Sequence, residues 1–285
     1  MKSRNLQALY GLKWNPFAKD VPAHALHIRL QAERFIWQIE QLAFDGGFAL
    51  LSGVSGSGKS SVMRIIKSRI SNVGDVCVAQ IDRPQSSLRD FYLELGEVFG
   101  VALTGSSRYG GFKRLRAEWL KQISGASFRP FLLVDEAQAI PTDVLAELRI
   151  LGSHEFDSRC ILAVVLSGDQ RLPARLRENE ELIPIDTRIK ARMMLEKLSC
   201  DDLIALLSHA LVQAGAPDLM TSGLKTIIAE QANGSPRALM NLANDLLLYG
   251  AEKEIQRLDE QLLLDFDGTK LRQRPKLPRT NSRGG

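Results

Sequence analysis

Apolar residues follow two rhythms along the first two-thirds of this chain. Short, nearly unbroken apolar runs occupy positions 48–53, 76–82, 131–135, 161–167 and 192–198. Runs of this length and continuity predict strands buried on both faces. Between the first four, apolar residues recur every three or four positions. One stripe is Val62, Ile65, Ile66 and Ile70; a second is Leu88, Phe91, Tyr92 and Leu95 with Val98 or Phe99. Leu115, Trp119, Leu120 and Ile123 make a third, and Val144, Leu145, Leu148 and Leu151 a fourth. Strands alternating with amphipathic helices predict an α/β fold, a five-stranded parallel sheet flanked by helices.

After Leu198 only the helical rhythm remains. Ser199-Cys200-Asp201-Asp202 reads as a capped helix start, followed on one face by Leu203, Leu206, Leu207 and Leu211, with Gly215 and Pro217 as stop signals. A second helix runs through Leu224, Ile227 and Ile228 to Gly234. A third opens on Ser235 as N-cap and Pro236 at the first helical position, and carries Leu239, Leu242, Leu246 and Tyr249. The expected organisation is an N-terminal linker and helix at 1–47, an α/β domain at 48–198, a small all-helical lid at 199–262 and a basic, disordered tail at 263–285.

Charge sharpens the last boundary. The net charge is +4, yet six basic residues and no acid follow Asp267: Lys270, Arg272, Arg274, Lys276, Arg279 and Arg283. Those six exceed the net charge, so the rest of the chain stands at −2. An arm of this kind suits phosphate backbones or acidic protein surfaces, unless it is simply a solvated tail. Cys77, Cys160 and Cys200 are dispersed and form no C-x-x-C pair, which fits inert thiols in a reducing compartment. His24 and His27 have no further ligand nearby. The sequence has no long apolar span and Met1–Tyr10 lacks a secretory core, so the expected location is the cytoplasm without membrane contact.

The chemistry is concentrated at Gly53-Val54-Ser55-Gly56-Ser57-Gly58-Lys59-Ser60, followed by Ser61. This is G-x-x-x-x-G-K-[ST] placed after a strand and before a helix, the pattern of a phosphate-binding loop. The glycines let backbone N–H groups wrap the phosphates of ATP, Lys59 reaches the β- and γ-phosphates, and the Ser60 hydroxyl ligates Mg²⁺. The run 131–135 ends in Asp135 and Glu136. Asp135 is the expected second holder of the Mg²⁺ shell, and Glu136 the base or orienter of the attacking water.

Three further positions complete the expected site. Ser167 or Asp169, at the end of the fourth strand, is the polar group between the acids and the γ-phosphate. Arg188, with Arg192 as its substitute, is placed to enter a neighbouring subunit's site as an arginine finger. Arg237, in Gly234-Ser235-Pro236-Arg237, sits in the first turn of a helix, where a cation opposes the helix dipole and so points to a ligand, the γ-phosphate. Arg108, Lys113, Arg114, Arg116 and Lys121, interleaved with Tyr109 and Phe112, are either DNA-backbone contacts or the solvated face of a helix.

Together these residues resemble the AAA+ ATPases, and the ExeA-like branch in particular. Tyr10-Gly11-Leu12 with Asn15-Pro16-Phe17 looks like that branch's "GL…PF" opening. Asp135-Glu136-Ala137-Gln138 followed by Leu148-Arg149-Ile150-Leu151 looks like its "DEAQ…LR.L" segment, and Gly234–Arg237 resembles its second sensor. The likeness covers roughly 10–255. The secretion-type "GQPEL" segment is replaced by Gly168-Asp169-Gln170-Arg171-Leu172. Without a membrane span or cell-wall domain, the chain looks most like transposon-encoded ATPases of the TnsC, TniB, IstB and MuB type. That resemblance implies a homo-oligomer, ring or filament, assembled with ATP on double-stranded DNA, where it recruits a DDE transposase and is released by hydrolysis. The alternatives are a secretion or envelope-assembly ATPase, a helicase loader and a small-molecule kinase.

Overall fold

The computed structural model describes residues 6–81, 87–103, 108–125, 128–155 and 158–273. The chain divides into two compact units, Pro22–Lys197 and Met1–Val21 with Leu198–Gly285.

Among the described residues the first unit holds seven strands: β1 (Gly47–Gly53), β2 (Val76–Ile81), β3 (Arg129–Val134), β4 (Ser153–His154), β5 (Arg159–Cys160), β6 (Ala163–Gly168) and β7 (Ile189–Leu195). Five of them form one parallel sheet in the order β2-β3-β6-β1-β7, and β4 pairs with β5 as a small antiparallel hairpin. Every residue of β1 and β6 is buried, because both are central and covered on both faces. Alternate residues point to opposite faces. Phe48, Leu50, Leu132, Val134, Val164 and Leu166 enter one core. Ala49, Leu51, Phe131, Leu133, Ala163 and Val165 enter the other.

Helices α2 (Leu30–Asp45) and α3 (Lys59–Ser71) cover the second face. On the first lie α4 (Leu88–Val98), α5 (Arg108–Ser124), α6 (Thr142–Gly152), α7 (Arg171–Glu178) and α8 (Ile183–Asp186). Helices α7 and α8 carry too few apolar positions to announce themselves: α7 buries only Leu172 and Leu176.

The last strand corrects the expected 192–198 to Ile189–Leu195. It is an edge strand, and alternate residues face solvent: Ala191 and Leu195 are buried while Met194 is 53% exposed. The apolar run 193–195 that marked it is therefore only half buried, and Leu198 belongs to the other unit, where its N–H donates to the Gly234 carbonyl (3.0 Å).

That second unit comprises α9 (Cys200–Ala214), α10 (Ser222–Gln231), α11 (Pro236–Glu252) and α12 (Glu260–Gln273) around one leucine-rich core. The N-terminal segment, with the short helix α1 (Leu6–Tyr10), joins it: Tyr10, Leu12 and Phe17 are buried there. The Lys13 N–H donates to the Ala214 carbonyl (2.9 Å) and Asn15 bonds Asn244 (2.8 Å). The expected 1–47 segment is thus divided between the units. The expected tail from 263 also begins too early, because Leu262, Leu263 and Phe266 are core residues of α12. Residues 274–285, with Arg274, Lys276, Arg279 and Arg283, lie outside the described residues. Among the described residues no helix is long and apolar enough to cross a membrane.

Candidate functional site

The site lies at the carboxyl ends of the parallel strands. β1 delivers Gly53 into a loop that turns back to start α3 at Lys59. Gly56 (φ 81°) and Gly58 (φ 101°) take left-handed conformations that side chains resist. Gly53 is required for space, since a Cβ there would lie 2.7 Å from the Leu195 carbonyl oxygen. The first bond closed into α3 runs from the Val62 N–H to the Gly58 carbonyl (3.1 Å). The N–H groups of Lys59, Ser60 and Ser61 therefore have no acceptor within the helix. Beside them, a Cβ added to Gly58 would meet no atom within 4 Å. Open space faced by helix-terminal donors is a cradle for an anion.

Lys59 is 8% exposed and folds over this loop, its Nζ donating to the carbonyls of Gly53 (2.9 Å) and Val54 (3.0 Å). Ser60 is exposed on the first turn of α3. Two strands away, roughly 10 Å at parallel-strand spacing, β3 ends at Val134 and presents Asp135 and Glu136. Between them β6 brings Ser167, fully buried, whose hydroxyl donates to Asp135 Oδ1 (2.8 Å). The same oxygen accepts the Glu136 N–H (2.9 Å).

The structure separates the two candidates for the polar group on β6. Ser167 touches Asp135. Asp169 instead accepts from the Arg171 backbone (2.9 Å) and its Nε (2.8 Å). That arginine holds the Asp169 carboxyl below its usual range, with Lys59 adding to the effect.

Glu136 is exposed and has left-handed backbone (φ 52°, ψ 36°), uncommon for a residue other than glycine. Its carboxylate accepts from Gln138 Nε2 (2.5 Å). Gln138 enters the sequence pattern only as part of the DEAQ segment. Its tie to Asp169, 31 positions away, leaves no mark in local spacing. Among the described residues no group of three His, Cys, Asp or Glu could hold a metal. The donor set Ser60 and Asp135 instead fits a Mg²⁺ that completes its shell with phosphate oxygens and water.

Arg188 is elsewhere. It precedes β7, and Ile189 pairs with Phe48 at the amino end of β1. Five residue steps of strand, roughly 17 Å, separate that level from Gly53, beyond an arginine's reach. Its Nη1 donates to the Pro184 carbonyl (2.6 Å). It lines an open cleft of about 380 Å³ with Arg149, Arg159, Lys190 and Asp45. Arg192 is bound to Asp186, through Oδ1 (2.9 Å) and the carbonyl (2.7 Å). Arg237 belongs to the helical unit. It is exposed in the first turn of α11, whose N-cap Ser235 accepts the Ala238 N–H (3.3 Å).

The basic cluster of α5 splits into two kinds. Arg108 pairs with the buried Glu147, which also accepts from Tyr92 (2.5 Å). Arg116 caps α6 through the carbonyls of Ile150 (3.1 Å), Leu151 (2.8 Å) and Ser153. Lys113, Arg114 and Lys121 are exposed, Arg114 with one bond to the Ala102 carbonyl (3.1 Å).

Residues 41–176 match the AAA domain family model. The chain carries an AAA domain. A phosphate loop, an acidic pair and a polar group between them are the parts with which such a domain binds and hydrolyses ATP. General secretion pathway protein A from Aeromonas hydrophila is 32% identical over 208 residues, covering 72% of this chain. The chain spans only 37% of that relative's length. Among solved structures, Cdc6p from Pyrobaculum aerophilum matches with a TM-score of 0.68 at 15% identity, covering 88% of this chain and 68% of the other. The Aeropyrum pernix ORC1 protein in complex with DNA matches with a TM-score of 0.64 at 16% identity, covering 94% and 69%. These likenesses establish the fold.

Proposed function

We propose that this protein is an ATP-dependent DNA-binding switch of the cytoplasm, assembling as a homo-oligomer on double-stranded DNA and regulating transposition with a DDE transposase. The carrying observation is the distance between Arg188 and its own phosphate loop. A finger at the amino end of the sheet serves only a neighbour's nucleotide, so hydrolysis depends on assembly. Exposed Lys113, Arg114 and Lys121 on α5 supply phosphate contacts, and the structural likeness to an ORC1 protein in complex with DNA supports DNA as the template.

In this reading Ser60 and Asp135 would hold a Mg²⁺, which would supply charge neutralisation at the phosphates. Lys59 leaves the loop carbonyls for the β- and γ-phosphate oxygens. Glu136 takes a proton from the water whose oxygen bonds the γ-phosphorus, while the bond to the β–γ bridging oxygen breaks and ADP leaves. Ser167 keeps Asp135 oriented. Arg237 serves as the sensor of ATP against ADP.

A second reading, a secretion or envelope-assembly ATPase, is favoured by the 32% identity to a secretion pathway protein. Fluorescence anisotropy on random-sequence duplex DNA separates the two. The first reading expects tight binding with ATP, weak binding with ADP, and loss on reversing Lys113, Arg114 and Lys121 to glutamate. Binding with neither nucleotide would sink it and leave the second.

A further inference from the structure

Gln138 makes three contacts, one of them to the acidic pair. Its Nε2 donates to Glu136 Oε2 (2.5 Å), its Oε1 accepts the Asp169 N–H (3.0 Å), and its backbone carbonyl accepts from Arg175 Nη1 (2.9 Å). A backbone N–H can only donate, so the oxygen of the amide must face Asp169 and the NH₂ must face Glu136. The orientation of the amide is therefore fixed by chemistry. Arg175 also binds the Thr142 hydroxyl (3.0 Å), tying the turn Ala137–Ala139 to the start of α6. Gly168 makes the approach possible: a Cβ there would stand 2.7 Å from Gln138 Oε1 and 2.6 Å from Leu172 Cδ2.

We infer that Gln138 is a positioning residue for ATP hydrolysis, a strut that holds the Glu136 carboxylate at a set distance from the end of β6. The two acids follow β3, whereas the polar group that touches Asp135 belongs to β6. Glu136 is exposed, with a flexible side chain and a sparsely populated backbone conformation. An unbraced carboxylate there would sample several rotamers, and a general base works only within hydrogen-bond reach of its water. Gln138 removes that freedom by tying the carboxylate to backbone that also carries Ser167, so one rigid strand end sets both groups.

The inference rests on Glu136 being the base, and its test separates the two claims. Glu136→Gln is measured first: wild-type turnover in that variant would remove the base itself, whatever Gln138 does. Gln138→Glu keeps the oxygen that accepts from Asp169, loses the donor to Glu136 and sets a second carboxylate beside it. Gln138→Met keeps the length and loses both. Both variants are expected to lower kcat roughly tenfold, the usual effect of one hydrogen bond to a charged group, with the KM for ATP and the affinity for ATP unchanged. The Gln138→Met loss is expected to vanish when Glu136→Gln is already present, since nothing is left to position. A merely structural role would give the same loss in both backgrounds. An equal loss in both, or an unchanged or faster rate in the single variants, would overturn the strut.

Discussion

The two ends of one parallel sheet have opposite chemistry. At the carboxyl ends, Lys59, Ser60, Asp135, Glu136 and Ser167 converge from β1, β3 and β6, a site built for a phosphate and a cation. At the amino ends, Arg149, Arg159, Arg188 and Lys190 line a cleft with Asp45. A strand about 20 Å long separates the two. In the proposed reading each end holds part of what phosphoryl transfer needs, and neither supplies the other within one chain. On that reading the polarity of the sheet makes hydrolysis depend on assembly, because the two ends would meet only between copies.

The largest expected break comes at the carboxyl end. Lys59→Ala removes the buried ammonium and its reach to two phosphates. Nucleotide affinity should fall by at least two orders of magnitude, about 3 kcal/mol, and hydrolysis with it, as read by titration with a fluorescent ATP analogue. The amino end should behave differently. Arg188→Ala should leave that affinity within about twofold, yet reduce hydrolysis at saturating protein by on the order of a hundredfold or more. Mixing sharpens the contrast. Lys59→Ala chains retain Arg188, and Arg188→Ala chains retain the loop, so the mixture should hydrolyse ATP faster than either alone. Mixed activity no greater than the sum of the two would place the finger elsewhere.

How far these ends can be read from the sequence differs for a physical reason. The phosphate loop is contiguous, with each residue type dictated by one anion, so Gly53 through Ser60 declare themselves by spacing alone. Asp135 and Glu136 follow from the apolar strand they terminate. The β6 position stays open between Ser167 and Asp169 because both are polar and two residues apart. Only the pairing of β6 with β3 turns Ser167 to Asp135 and leaves Asp169 to Arg171. Gln138 joins positions 31 apart, and no periodicity encodes that contact. At the other end of the chain, charge hides a helix. The basic residues after Asp267 suggest a tail, while Leu262, Leu263 and Phe266 just before them are core.

The smallest expected effect tests the reading of α5, where basic residues look alike in sequence and differ in the fold. Glu147 is 3% exposed in its side chain and takes its charge compensation from Arg108, while Tyr92 donates a second hydrogen bond. Burial, and after it the hydrogen bond to the carboxylate, raises the pKa of Tyr92, and the hydrogen bond to the carboxylate raises that of Arg108. Arg108→Ala would leave a buried carboxylate with one donor. The cost should be about 1–2 kcal/mol, below that of a fully buried pair because the guanidinium is more than half exposed. At roughly 2–4 °C per kcal/mol for a unit of this size, the thermal midpoint should drop measurably. ATP affinity should not change. Lys121→Ala, on the exposed face of the same helix, should do the reverse, keeping the midpoint and weakening duplex DNA binding in a salt-dependent way. If Arg108→Ala instead weakened DNA binding at an unchanged midpoint, the Glu147 pair would be incidental, and the whole basic cluster would have to be returned to the DNA face.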